Sequence, residues 1–307
     1  MSVIVSAPAR LHLGFINLSD EYPLRYGGVG LAIQEPRNKF KIKKSNQTTI
    51  KTNQNIPESH IESIRERTEK IVRYLGVGGV EVEVESVIPM HKGFGSGTQT
   101  TLSILTAIKH LYDTEVDVEL VAEDLGRFKY SRVGLNTFRD GGFVVEAGET
   151  GQIYRTNFPK EWKILIAVPP GTGVSGKKEQ KALQKLLPTT PRYTEKVSAE
   201  ILCRMIPSIN KDLQEFNKAI HNIQQQMGQT FKPIQNGQYA TKKGQKLTKK
   251  LQKISKGVGQ SSWGPTIYQI TNKQNIKKSR KQAKKIIKNV FITNPDNQGA
   301  TIKKNDG

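Results

Sequence analysis

The densest run of residues suited to holding an anion is Pro89-Met90-His91-Lys92-Gly93-Phe94-Gly95-Ser96-Gly97-Thr98. Gly93, Gly95 and Gly97 let the backbone come close to a bound group, Ser96 and Thr98 add hydroxyls, and Lys92 adds a positive charge. Ahead of it, Val80-Glu81-Val82-Glu83-Val84-Glu85 alternates strictly, which predicts a strand with one wet face. Behind it, Leu102, Leu105, Ile108 and Leu111 recur at helical spacing. A strand, a glycine loop and a helix start form a phosphate cradle, because the first N–H groups of a helix lack partners and its dipole favours negative charge. The run has no Gly-Lys-Ser/Thr ending, so it is not a P-loop. A structural turn without ligand is the alternative reading.

Other segments offer chemistry of less defined kind. In Arg10-Leu11-His12-Leu13-Gly14, strand alternation puts Arg10 and His12 on one face and the leucines on the other. His12 reads as either a hydrogen-bonded structural residue or a proton shuttle. Arg25, before Tyr26-Gly27-Gly28-Val29-Gly30, reads as a clamp for phosphate or carboxylate or as a surface turn residue. Arg127, Lys129, Ser131 and Arg132 cluster between Gly126 and Gly134. In Gly257-Val258-Gly259-Gln260-Ser261-Ser262-Trp263-Gly264-Pro265, Trp263 serves either an aromatic substrate or packing between domains. The five histidines are scattered and no metal-ligand spacing recurs. Glu123 and Asp124 are the carboxylates considered for magnesium held together with substrate phosphates.

These segments need elements to position them. Val3–Val5 predicts a short strand entering a turn at Pro8-Ala9-Arg10, and Phe40–Ile42 with Thr48–Lys51 predicts a hairpin about Ser45–Gln47. A helix is expected from Pro57 to about Tyr74, and a hairpin from Phe143–Val145 with Ile153–Tyr154. The second half reads as a strand at 164–168, helical segments to about Met227, a lysine-rich amphipathic helix over 242–256, a strand at 266–270, a helix over 273–289 and a last strand at 290–293.

Charge divides the chain in the same way. Residues 1–150 hold 18 basic against 19 acidic side chains, a net of −1, and residues 151–307 hold 30 against 8, a net of +22. The basic half is expected to draw acidic metabolites and to bind nucleic acid only weakly and without sequence preference, since aromatics along it are few. No apolar run approaches a membrane span or a secretory signal, and Cys203, the single cysteine, reads as a small buried hydrophobe. The compartment expected is the cytoplasm.

Taken together, Arg10–Gly14, Gly27–Ile33, Gly93–Gln99, Gly141–Val145 and Gly257–Thr266 resemble the GHMP kinase superfamily over nearly the whole chain. Within it the chain looks most like the β-ribofuranosylaminobenzene 5′-phosphate synthases of methanopterin biosynthesis. The resemblance implies an α+β fold with an N-terminal α/β sandwich over 1–158 carrying the phosphate loop, and a C-terminal ferredoxin-like domain over 159–307. It also implies a reaction of 5-phosphoribosyl 1-pyrophosphate with 4-hydroxy- or 4-aminobenzoate, releasing pyrophosphate and carbon dioxide, with magnesium, without ATP, and in a homodimer. Lys92, Gly93, Gly95, Ser96, Gly97, Thr98 and Gln99 would hold the pyrophosphate, and Arg10, His12, Arg25 and Arg132 would be the catalytic residues. Arg25 and Arg132 would meet the 5′-phosphate or the carboxylate and Trp263 the ring, Ser131, Ser261 and Ser262 would also bind substrate, and Ser96 with Glu123 would hold the magnesium ion. Kinases of the superfamily have a catalytic aspartate where Gly134-Leu135-Asn136 offers only Asn136. An asparagine cannot take a proton from a hydroxyl, which favours the synthase over an ATP-dependent kinase or a basic nucleic-acid binder.

Overall fold

The computed structural model describes residues 1–148, 151–174, 177–235 and 237–305. In chain order the first unit runs β1 (Ser2–Asn17), β2 (Tyr26–Lys44), β3 (Thr49–Lys51), α1 (Glu58–Leu75), β4 (Val80–Ser86), α2 (Ser96–Tyr112), α3 (Val118–Asp124), α4 (Val133–Arg139), β5 (Phe143–Glu146) and β6 (Gln152–Thr156). The second runs β7 (Lys163–Val168), α5 (Lys177–Leu186), α6 (Pro191–Ala199), α7 (Ile206–Ser208), α8 (Leu213–Gln235), α9 (Lys242–Leu251), β8 (Val258–Gln260), β9 (Ile267–Thr271), α10 (Lys273–Lys284) and β10 (Asn289–Thr293), followed by β11 (Thr301–Asn305).

Pro8-Ala9-Arg10 does not turn the chain. β1 continues through it, and a register shift against β2 between Pro8 and Ala9 absorbs the residue that lacks an N–H donor. The long β2 then serves two halves of one sheet: Gly28–Leu31 pairs with β5, and Lys39–Lys44 pairs with β4. The hairpin expected about Ser45–Gln47 is not formed, because β4 lies between β2 and β3 and pairs with β3 in parallel. Val80, Val82 and Val84 are all buried, so the alternating strand takes the inner position and the three residues of β3 are left at the edge.

The second sheet has the order β10-β7-β9-β8, antiparallel throughout, with helices leading from β7 to β8 and from β9 to β10. That is the ferredoxin-like arrangement. One face carries Ile164, Ile166, Tyr268 and Ile270 into a core shared with Phe216, Ile220 and Ile223 of α8 and Leu11, Leu13 and Phe15 of β1. The other packs Leu165, Ala167 and Ile267 beneath Leu247 and Leu251 of α9 and Ile276 and Ala283 of α10. The largest core therefore spans both units. The strand expected to be the last is not the last: Thr301–Asn305 crosses back to pair with β1, which puts the end of the span 159–307 in the first sheet. Cys203, expected to be buried, is exposed. No helix among the described residues is long and apolar enough to cross a membrane.

Candidate active site

Gly95 caps α2 in the left-handed conformation (φ 75°), and no side chain caps the helix. The first bond within the helix runs from Gln99 N–H to the Gly95 carbonyl, which leaves the N–H groups of Ser96, Gly97 and Thr98 unused by it. They open onto a cavity of about 430 Å³ whose lining includes Gly93, Gly95, Ser96, Gly97 and Thr98.

Three arginines surround that opening from three elements. Arg10 of β1 donates to the Gly93 carbonyl (2.7 Å), and its Nε is buried without a partner. Arg67 lies on the stripe of α1 formed by His60, Ser63, Ile64 and Arg67, all of which line the cavity. Arg127 follows α3, and its Nε is also buried without a partner. A Cβ on Gly95 would stand 3.1 Å from the Arg10 side chain, and one on Gly97 would stand 3.2 Å from Arg127 and 3.4 Å from Arg67. Burial lowers Arg10 and Arg67 to about 10, and Arg127 falls in the same direction for the same first cause. All three stay charged at neutral pH, at a desolvation cost that an anion would offset. Glu179 of α5 faces them; burial pushes its carboxyl up to about 7 although Arg10 and Arg127 pull it down. The same lining also includes the apolar side chains Ile64, Val87, Ile88, Met90, Val174 and Trp263.

The second unit closes this cavity by direct backbone approach. Ser261 Oγ donates to the Gly93 carbonyl (2.6 Å) and accepts from His12 N–H (3.0 Å), while Ser262 N–H donates to the His12 carbonyl (3.2 Å). A Cβ on Gly264 would come within 2.4 Å of the Lys92 carbonyl oxygen, so only glycine permits the approach. Trp263 is 2% exposed and stacks on Phe231, with ring centroids 3.8 Å apart.

The residues expected at the site thus separate into groups. Arg10, Gly93, Gly95, Ser96, Gly97, Thr98, Ser262 and Trp263 share the cavity. His12 is 1% exposed and outside the lining; its ring packs on Phe15, neither ring nitrogen has a partner, and burial first, then Arg10, lowers its pKa. Lys92 reaches the Gly171 carbonyl, Gln99 donates to the Gly134 carbonyl (2.7 Å), and the Ser261 hydroxyl is used within the protein. Arg25, Glu123, Ser131 and Arg132 line a second cavity of about 420 Å³. There Arg25 pairs with Asp20 (3.0 Å), and Arg132 pairs with both Glu119 and Glu123.

Ser96 and Glu123 therefore do not meet, which removes the pair expected to hold magnesium. Among the described residues no three His, Cys, Asp or Glu side chains cluster as metal ligands. The described residues alone do not supply a full magnesium ligand set, so an ion there would depend on substrate phosphates. Asn136 is buried in α4 and is not part of the lining. Arg67 and Glu179 were missed in the sequence; the 60/63/64/67 spacing was the available signal for the first, and nothing local marks the second.

Residues 61–135 match the family model described as the GHMP kinases N terminal domain. A solved mevalonate kinase superposes with a TM-score of 0.71 at 16% identity, covering 96% of this chain and 99% of that one, which shows the fold alone. A curated β-ribofuranosylphenol 5′-phosphate synthase of Archaeoglobus fulgidus is 32% identical, covering 86% of each chain. The chain belongs to the β-ribofuranosylphenol 5′-phosphate synthase family. The family member of Methanocaldococcus jannaschii is 29% identical over 89% of this chain and 91% of its own length. The GHMP-type α+β fold read from the motifs is thus the fold of the molecule, and the curated relatives are synthases.

Proposed function

We propose that the protein condenses 5-phosphoribosyl 1-pyrophosphate with 4-hydroxybenzoate, giving a ribofuranosylphenol 5′-phosphate, pyrophosphate and carbon dioxide, in the synthesis of a methanopterin-type cofactor. The observation that carries this reading is the convergence of three half-buried arginines and three unused helix N–H groups on one cavity whose lining also has apolar side chains. The guanidinium groups suit a diphosphate leaving group; the apolar lining suits a flat ring. The relatives are named for a phenol product, which favours the hydroxy over the amino acceptor.

The chemistry follows from that division. As the bond from the anomeric carbon to the diphosphate oxygen breaks, negative charge grows on the leaving group. Arg10, Arg67, Arg127 and the N–H groups of Ser96, Gly97 and Thr98 meet it without rearrangement. The ring carbon that bears the carboxylate attacks the anomeric carbon. The electrons of the bond to carbon dioxide then return to the ring and restore its aromaticity. That carbon carries no proton, so the step needs no general base, in keeping with an asparagine at 136. Ser262 and Trp263 would bound the acceptor, and the cavity of Arg25, Ser131 and Arg132 is the remaining candidate for the 5′-phosphate. The same reading takes the enzyme as a cytoplasmic homodimer.

The test is product analysis with purified protein, the donor, magnesium in the buffer and each acceptor in turn. Equimolar pyrophosphate and carbon dioxide from 4-hydroxybenzoate are expected. ATP-dependent phosphorylation of homoserine or mevalonate, without those products, would overturn the reading.

A further inference from the structure

Among the residues lining the main cavity, one carboxyl shares the space with three guanidinium groups. Glu179 belongs to α5 of the second unit, whereas Arg10, Arg67 and Arg127 belong to β1, α1 and the segment after α3. No hydrogen bond or ion pair within 4 Å joins Glu179 to any described residue, although it is partly buried among cations. Arg10 and Arg127 each keep a buried Nε without a partner. Acid and bases thus line one space without closing into a salt bridge, which leaves room between them for a component from solution. A carboxylate there repels the diphosphate that the arginines attract; a carboxylic acid would donate to it.

We propose that Glu179 binds the diphosphate group as a neutral acid, taking one proton from solvent and donating its O–H to a phosphate oxygen, so that diphosphate affinity falls as pH rises. This rests on the diphosphate reading of the cavity. The proton moves from water to a Glu179 carboxylate oxygen, and no bond of the diphosphate breaks. Desolvation already holds the free carboxyl at about 7 against the pull of Arg10 and Arg127. A bound polyanion would screen those cations and raise it further. The other charged or titratable groups facing this space are His60 and Arg67 from α1, His91 from the loop, and Tyr130 after Arg127. His60 is lowered by burial and then by His91, so it also favours proton uptake with an anion, and its share must be separated from that of Glu179.

Calorimetric titration of the full chain with inorganic pyrophosphate at pH 6, 7 and 8, in buffers of unlike ionisation enthalpy, makes that separation. Glu179→Gln keeps a neutral donor and cannot ionise; Glu179→Ala removes the donor as well. At pH 6 the Gln variant should bind within twofold of wild type, and the Ala variant roughly fivefold more weakly, the worth of one neutral hydrogen bond. Between pH 6 and 8 the affinity of Gln over wild type should rise roughly tenfold, and the variant should lose about one proton of uptake at pH 8. His60→Asn should leave that ratio in place. A Gln-to-wild-type ratio constant with pH, or equal losses in Gln and Ala at every pH, overturns the proton coupling while the diphosphate site stands. Wild-type protein that binds no pyrophosphate at any of the three pH values overturns the site itself and the coupling with it.

Discussion

Positive charge is concentrated in two places in this molecule, by opposite means. The cavity beside α2 has three arginines, drawn from separate elements, partly desolvated and sharing the space with the start of the helix. The outer face of α9 and α10 has many more cations, all lysine but Arg280, exposed, and on a stretch with no acidic residue between Phe216 and Pro295. None of the α9 or α10 cations has an acidic partner among the described residues. Water screens each exposed lysine, so their number adds solubility and long-range attraction but little affinity for any one small anion. Three half-buried guanidinium groups would meet an anion in a space of lower dielectric with their geometry already set. Position, rather than count, makes the site.

The sharpest way to break this contrast is at the loop. Gly95 has a left-handed φ of 75°, and a Cβ there would press on Arg10. Gly95→Val should weaken pyrophosphate binding more than about 100-fold by straining the turn and displacing the arginine, while circular dichroism shows the fold retained. Normal affinity in the folded variant would separate the loop from phosphate binding altogether.

A smaller effect is expected from single cations. Arg67→Ala and Arg127→Ala should each cost roughly 2 kcal/mol of pyrophosphate affinity, about 30-fold, as for a charge-assisted hydrogen bond. Changing Lys246, Lys249, Lys250 and Lys253 together to glutamine should leave donor kcat/KM within about twofold. It should instead weaken non-specific duplex binding and flatten its salt dependence by up to about 0.9 in log–log slope per lost phosphate contact. If the four lysines outweigh one arginine in pyrophosphate titrations, the ranking of buried over exposed charge is reversed.

Buried charge elsewhere sharpens the comparison through stability. Glu146 of β5 is 0% exposed, and its carboxyl accepts from the Arg132 N–H (3.2 Å). Burial pushes it up to about 7, so the fold prefers its acid form. Its contribution is complete below about 4.5 and is lost as pH rises through 7. Glu146→Gln should therefore melt closer to wild type at pH 5 than at pH 8, where the variant gains. The smallest effect belongs to Asn136→Ala, which should reduce synthase turnover only a few-fold in a product assay, since no proton is taken at that position.

Much of the fold was legible because its signals are local. The alternation of Val80–Glu85, the helical spacing after Thr98 and the hairpin of Phe143–Val145 with Ile153–Tyr154 each arise from a few consecutive residues, and β4, α2 and the β5–β6 pair stand where they were expected. The placement of β3 was not legible. Which strand lies beside β2 depends on how much apolar surface β4 buries there, a competition between segments over 30 residues apart.

The sequence by itself determined the glycine-rich loop, the division into a near-neutral and a basic half, and the family, because glycine spacing, charge and motif order are properties of the chain. Only the tertiary structure decided which polar residues share a space. It brought Arg67 and Glu179 to the loop, sent Glu123 to pair with Arg132 away from Ser96, and turned the hydroxyl of Ser261 into a brace between β1 and Gly93. A side chain's role there follows from what other elements press against it. That is set by the packing of α1, α5 and the Gly264 turn around one cavity, and no window of sequence contains all three.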